Sequence, residues 1–145
     1  MNLEQLETEW AHDSILNADD LQEEITKTAK LHAKWYAKLN TSRRDIIGLD
    51  VEIQKWTRVM ESFFSRTMTL DEMTKHGFSE LPEKRLLKGD LDAAVANDRK
   101  MVELKVRRGL ALDRVKYIED IVKHIHGRGF LIRDLIEWKK FQAGF

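Results

Sequence analysis

From Leu21 to Phe63 the apolar residues recur at alternating steps of four and three without a slip. The positions are 21, 25, 28, 32, 35, 39, 42, 46, 49, 53, 56, 60 and 63, and ten of these 13 are apolar. They are Leu21, Ile25, Trp35, Leu39, Ile46, Leu49, Ile53, Trp56, Met60 and Phe63; Thr28, His32 and Ser42 are the exceptions. That spacing keeps one stripe of an α-helix turned toward a single partner, so it predicts one long helix with a heptad seam. Asn17-Ala18-Asp19-Asp20 supplies its start, with an Asn cap and acids in the first turn. A helix over residues 18–64 would be about 70 Å long. A compact globule of this length has a radius of gyration of only about 15 Å. The expectation is an extended molecule whose seam needs other subunits, with Gly48 as a point where the helix could bend.

The rest of the chain continues the helical theme. A short helix is expected over Leu3 to Ala11, with Leu3, Leu6 and Trp10 on one face. Residues 67–81 read as a connector, since they hold Gly77 and their apolar residues lack a clear period. A second long helix is expected over 82–126, with Gly89-Asp90 as a possible interruption. Its apolar track runs 94, 97, 101, 104, 108, 111, 115, 118, 122 and 125, eight of ten positions being apolar. Gly127-Arg128-Gly129 is expected to stop it. A separate C-terminal helix then occupies 127–145, where Leu131, Ile132, Leu135, Ile136 and Trp138 cover about 160° of the wheel, with Phe130 and Phe141 outside that arc. This apolar surface either packs on the hairpin or forms an oligomer contact; the oligomer contact is favoured, because a terminal apolar helix is easily shared between subunits. The fold class is therefore all-α: one helical domain over residues 1–145, built as a long antiparallel hairpin with heptad seams, a short N-terminal helix and an apolar C-terminal helix.

Composition agrees and narrows the function. One proline, seven glycines and 34% charged residues suit helices rather than sheets. The absence of cysteine excludes a disulfide scaffold, a thiolate zinc site and a Cys nucleophile. Lys plus Arg number 25 and Asp plus Glu 25, so the formal charge is zero. By position it is not neutral: residues 1–25 carry eight acids and no Lys or Arg, residues 26–97 carry 13 basic and 10 acidic groups, and residues 98–145 carry 12 and 7. A polarised chain can bind an anion with one region while the whole stays neutral. Neither a targeting segment nor a membrane span is visible, which gives a cytoplasmic expectation with no membrane partner.

No catalytic constellation emerges. His124 and His126 are two apart on a helix and point away from each other, so they cannot easily share a metal. His12, His32 and His76 have no evident partners, and Asp90-x-Asp92 reads as helix capping. There is no phosphate-binding loop and no Ser-His-Asp or paired-Glu arrangement. The expectation is a protein that is not an enzyme and has no cofactor or metal.

The basic residues are more informative. Arg43 and Arg44 are adjacent, Lys55 and Arg58 follow on the same helix, and Arg58 and Arg66 bracket Phe63-Phe64. Guanidinium groups beside aromatic rings suit single-stranded nucleic acid, with cations for phosphates and ring faces for unpaired bases. Phe63 is equally a seam position and could be core.

Three patches carry a family resemblance. They are Ile125-His126-Gly127-Arg128-Gly129-Phe130-Leu131-Ile132-Arg133 with Phe141-Gln142-Ala143-Gly144, the pair Lys34-Trp35, and the run Arg58-Val59-Met60-Glu61-Ser62-Phe63-Phe64. With these, the chain length and the acidic N-terminus, the sequence resembles the UvsY-type recombination mediator proteins of large tailed phages. The resemblance implies a non-enzymatic accessory factor of homologous recombination and repair, small and helical, forming a ring of six or seven subunits. It implies single-stranded DNA binding, contact with the phage single-strand-binding protein, and help to the phage recombinase in loading on covered DNA, in the cytoplasm of the infected bacterial host. The family ties DNA contact to a basic-x-Arg segment before an aromatic pair. Arg58 matches the first basic position and Phe63-Phe64 the aromatic pair, while Met60 departs from the second; Lys55, Arg66 or Arg43-Arg44 then stand as its replacements. A rival reading is a structural coiled-coil or assembly protein of a phage with no nucleic-acid role.

Overall fold

In the computed structural model, which describes residues 1–144, the chain forms five helices, and no strand occurs among the described residues. They are α1 (Leu3–Asp13), α2 (Leu21–Phe64), α3 (Leu70–His76), α4 (Lys88–Asn97) and α5 (Arg99–Gln142). The chain divides into two compact units, and α2 and α5 contribute a segment to each. One unit holds Met1–Arg44 and the chain from Ala111 onward; the other holds Asp45–Leu110.

In the first unit α2 and α5 run antiparallel, since Glu24 pairs with Arg128 and Arg43 with Glu119. Leu31, Trp35 and Leu39 of α2 and Val115, Ile118, Ile121, Ile125 and Ile132 of α5 are buried. Helix α1 starts on a capping box between Asn2 and Gln5. It is fastened to α2 by Trp10, whose ring meets Trp35 edge-on at 5.7 Å. Asp13 completes the joint: its carboxylate accepts from the Trp35 indole N–H at 3.0 Å and from Lys34 at 2.5 Å. The Lys34-Trp35 pair is thus the anchor of α1.

In the second unit α2 and α5 are again antiparallel, with Asp50 paired to Arg108 at 2.6 Å. Met60, Val95 and Met101 form a buried cluster, and Ile53, Trp56, Phe63, Phe64, Phe78 and Leu91 pack against it. Met68 and Met73 are buried too.

Several expectations need correction. Helix α2 starts at Leu21, because the cap is Asp20, which accepts from the Glu23 amide, while Asn17 closes a turn onto the Asp19 amide. It runs unbroken through Gly48. The connector carries a helix, α3, capped by Thr69 at its start and by Gly77 at φ 76° at its end. The second long helix does not span 82–126. Residues 82–87 are not helical, α4 begins at Lys88, and the interruption falls at Asp98. There the Asp98 carboxylate accepts from the Trp56 indole N–H at 2.6 Å and from the Met101 amide at 3.0 Å, ending one helix and capping the next. Finally, no separate C-terminal helix exists: α5 continues through Gly127-Arg128-Gly129 to Gln142. Arg128 is why. It is buried, pairs with buried Glu24 and donates to the Thr28 hydroxyl at 3.0 Å. Ile125, Arg128 and Ile132 continue one inward stripe across both glycines.

Candidate nucleic-acid interface

The anticipated cations fall into two classes. In the Asp45–Leu110 unit, Lys55 and Arg58 are exposed, and the ion pairs of this unit are made by other residues: Arg108 with Asp50, Arg99 with Glu103 at 3.3 Å and Arg107 with Glu52 at 3.9 Å. Arg66 has a left-handed backbone (φ 61°), and its guanidinium donates to the Glu83 carbonyl at 2.8 Å. It therefore clasps the segment that follows α3. In the other unit, Arg43 donates to Glu119 at 3.3 Å, and Arg44 is exposed.

Phe63 and Phe64 are half-buried. They meet edge-on at 5.2 Å, and Phe63 stacks on Phe78 at 4.3 Å between centroids. Met60 is 2% exposed at the centre of this cluster.

Another aromatic lies nearer the surface. Trp56 is half-buried, with His76 against it edge-on at 6.0 Å and Phe78 stacked at 6.5 Å. The ammonium of Lys100 sits over its ring, 4.1 Å from the centroid. Trp56, His76, Lys55, Lys100, Arg107 and Glu52 line a groove of about 460 Å³ between α2 and α5. Nothing in the heptad spacing points to Lys100 and Arg107, which come from a different helix. Trp56 itself reads as an ordinary seam residue. The pairing of α2 with α5 is what gathers them.

The anticipated oligomer face lies on the last turns of α5. Phe130, Leu131, Trp138 and Phe141 are exposed, and Trp138 stacks on Phe141 at 5.6 Å. Leu135 and Ile136 are half-buried. Ile132, at 2% exposure, belongs to the protomer's own core.

Three perturbed charges, Glu9, Asp13 and Lys34, meet at the α1 anchor. Hydrogen bonding from Lys34 outweighs burial and holds the Glu9 carboxyl below its ordinary value. Burial alone would raise Asp13, but the hydrogen bonds from Lys34 and Trp35 bring it below its ordinary value. Burial would lower Lys34, yet its bonds to Asp13 and Glu9 raise it. These are structural ion pairs. Among the described residues, no group of three or more His, Asp or Glu is arranged to hold a metal ion, and no helix is long and apolar enough to cross a membrane.

This fold is shared with solved structures. Three crystal structures of the bacteriophage T4 recombination mediator protein UvsY match with TM-scores of 0.81, 0.82 and 0.80. Their sequences are 18%, 16% and 14% identical to this one, over 99%, 97% and 95% of this chain and 98%, 99% and 98% of theirs. At that identity the likeness is one of fold. No match to the chain is found among curated protein sequences. The family described as "Recombination, repair and ssDNA binding protein UvsY" matches residues 9–145. With nearly the whole chain matched, and the fold matched as well, this protein belongs to the UvsY family.

Proposed function

We propose that this chain is a single-stranded-DNA-binding recombination mediator. It helps to load a phage strand-exchange recombinase onto DNA covered by single-strand-binding protein, in recombination, repair and recombination-dependent replication. The observation that carries this reading is the family match over residues 9–145. The exposed cations Lys55 and Arg58, which make no ion pair among the described residues, support it as the first contacts with phosphate, with Arg44 as a further one. Phe63, Phe64 and Arg66 serve the site by fixing the end of α2 and the loop beyond it.

The mechanism is physical and includes no catalytic step. Each phosphate neutralised by Lys or Arg releases counterions, so affinity falls steeply with salt. A single subunit offers few such contacts. A ring of six or seven copies, joined through the exposed face of Phe130, Leu131, Trp138 and Phe141, multiplies them by avidity. Wrapping the strand over several subunits presents bent, partly uncovered DNA to the recombinase. The partners are then the recombinase and the single-strand-binding protein, and the place of action is the cytoplasm of the infected bacterium.

The test is strand exchange by the phage recombinase on DNA already covered by single-strand-binding protein. Adding this protein should shorten the lag before exchange. Lys55→Ala with Arg58→Ala should abolish the effect and leave the molar mass unchanged. A lag that does not respond to the unmodified protein contradicts the reading.

A further inference from the structure

The groove between α2 and α5 carries more information than its charge. α2 alone brings Lys55 to it; α5 adds Lys100 and Arg107, and Glu52 is the carboxylate among these charged groups. The Arg107–Glu52 pair is long, at 3.9 Å, and both side chains are more than half exposed. Such a pair is weak and readily exchanged for a phosphate. Lys100 makes no ion pair among the described residues; its ammonium rests on the Trp56 ring. Trp56, by contrast, is fixed. Its indole N–H is bonded to Asp98, and Phe78 and His76 pack against the ring. A fixed aromatic ring covered by one exposed cation, with two more cations beside it, is a stacking platform with a removable cover.

We infer that this groove is a nucleotide subsite for single-stranded DNA, in which Lys55, Lys100 and Arg107 take phosphates and Lys100 yields the Trp56 ring to an unpaired base. The inference rests on the single-strand-binding reading and assigns that binding to residues of α5 as well as α2. The exchange is favourable because the phosphate gives Lys100 a full counter-charge in place of a ring quadrupole. The base then covers the ring that Lys100 leaves. A duplex offers phosphates but no unstacked base, so the site selects single strands.

The test uses the full-length protein and an unstructured oligo-dT, with affinity followed by anisotropy of a labelled strand across a salt series. Lys100→Ala with Arg107→Ala should weaken binding about tenfold at low salt. It should also flatten the slope of log affinity against log salt by about 1.4 per protomer, since each phosphate contact on a single strand contributes about 0.7. Lys105→Ala, exposed on the same helix and outside the groove, should leave the slope unchanged. Oligo-dT should quench tryptophan emission of the unmodified protein, and Trp56→Phe should remove that quench while far-ultraviolet circular dichroism stays helical. Binding by the unmodified protein with an unaltered slope in the Lys100/Arg107 variant overturns the groove and leaves the single-strand reading standing. A quench that survives Trp56→Phe overturns the stacking role. No salt-sensitive binding by the unmodified protein overturns both.

Discussion

Asp98 shows how much one residue can settle. Its carboxylate takes the Trp56 indole N–H and the Met101 amide, so it fixes the ring, stops α4 and starts α5. Hydrogen bonds to charged groups contribute about 1.5–3 kcal/mol, and a lost cap costs about 1 kcal/mol. Asp98→Ala should therefore destabilise by about 2–3 kcal/mol in urea unfolding; a change below the measurement error contradicts this. Arg128 is a second case. Its side chain and that of Glu24 are each 6% exposed. Removing one partner of a buried pair leaves the other charge stranded, at a cost of about 3–5 kcal/mol, whereas replacing both by apolar residues is often neutral. Arg128→Met alone should be severely destabilising, and Glu24→Leu added to it should restore most of the loss. Equal stability of the single and double variants would show that the pair does not matter. Neither residue's structural role is readable in the sequence. Asp98 is one acid among many, and Arg128 sits between two glycines, where local propensity argues for a helix end.

At the scale of elements, the seams were legible and their ends were not. The period of α2 is visible because ten apolar residues repeat it, and Trp35, Leu39, Leu49 and Met60 are indeed buried. Toward the N-terminus the buried positions become Glu24 and Leu31, while Ile25 is exposed. A strict heptad drifts about 20° per repeat against a straight helix, and Arg128 of α5 pairs with Glu24 on the face that this turns inward. α3 carried readable signals in Thr69, Asp71-Glu72 and Gly77; its brevity and lack of apolar period hid it. α5 crosses two glycines because its tertiary contacts outweigh their low propensity. A Cβ at Gly127 or Gly129 meets nothing within 4 Å. Gly127→Ala and Gly129→Ala should each stabilise by about 0.5–1 kcal/mol, read as a raised melting temperature; destabilisation would mean that the helix needs to bend there. The docking of α1 should depend on pH. Glu9 and Asp13 sit below their ordinary values, so their contribution is present above the usual carboxylate range and lost as pH falls through the lowered values. Lys34 sits above its ordinary value, so its contribution is full below that value and lost only as pH rises through the raised one. Emission from Trp10 and Trp35 should stay constant through neutral pH and shift on acidification, and a flat profile into acid contradicts the anchor.

At the scale of the whole molecule, the zero net charge proved the least informative number in the sequence. What matters is placement: eight acids in the first 25 residues, and cations that α2 and α5 set along a groove. The candidate site was legible only in part for the same reason. Lys55 and Arg58 could be named from α2 alone, but Lys100 and Arg107 join Trp56 only through tertiary pairing. Oligomer and DNA binding should be coupled. Leu135→Ser with Trp138→Ser should lower the molar mass by light scattering and weaken single-strand affinity by about a hundredfold or more through lost avidity; full affinity in a dissociated protein contradicts that coupling. The most direct measurement is the affinity of the unmodified protein for an unstructured single-stranded oligonucleotide across a salt series. A linear fall of log affinity with log salt is the predicted result, and no salt-sensitive binding at low salt is the result that contradicts it.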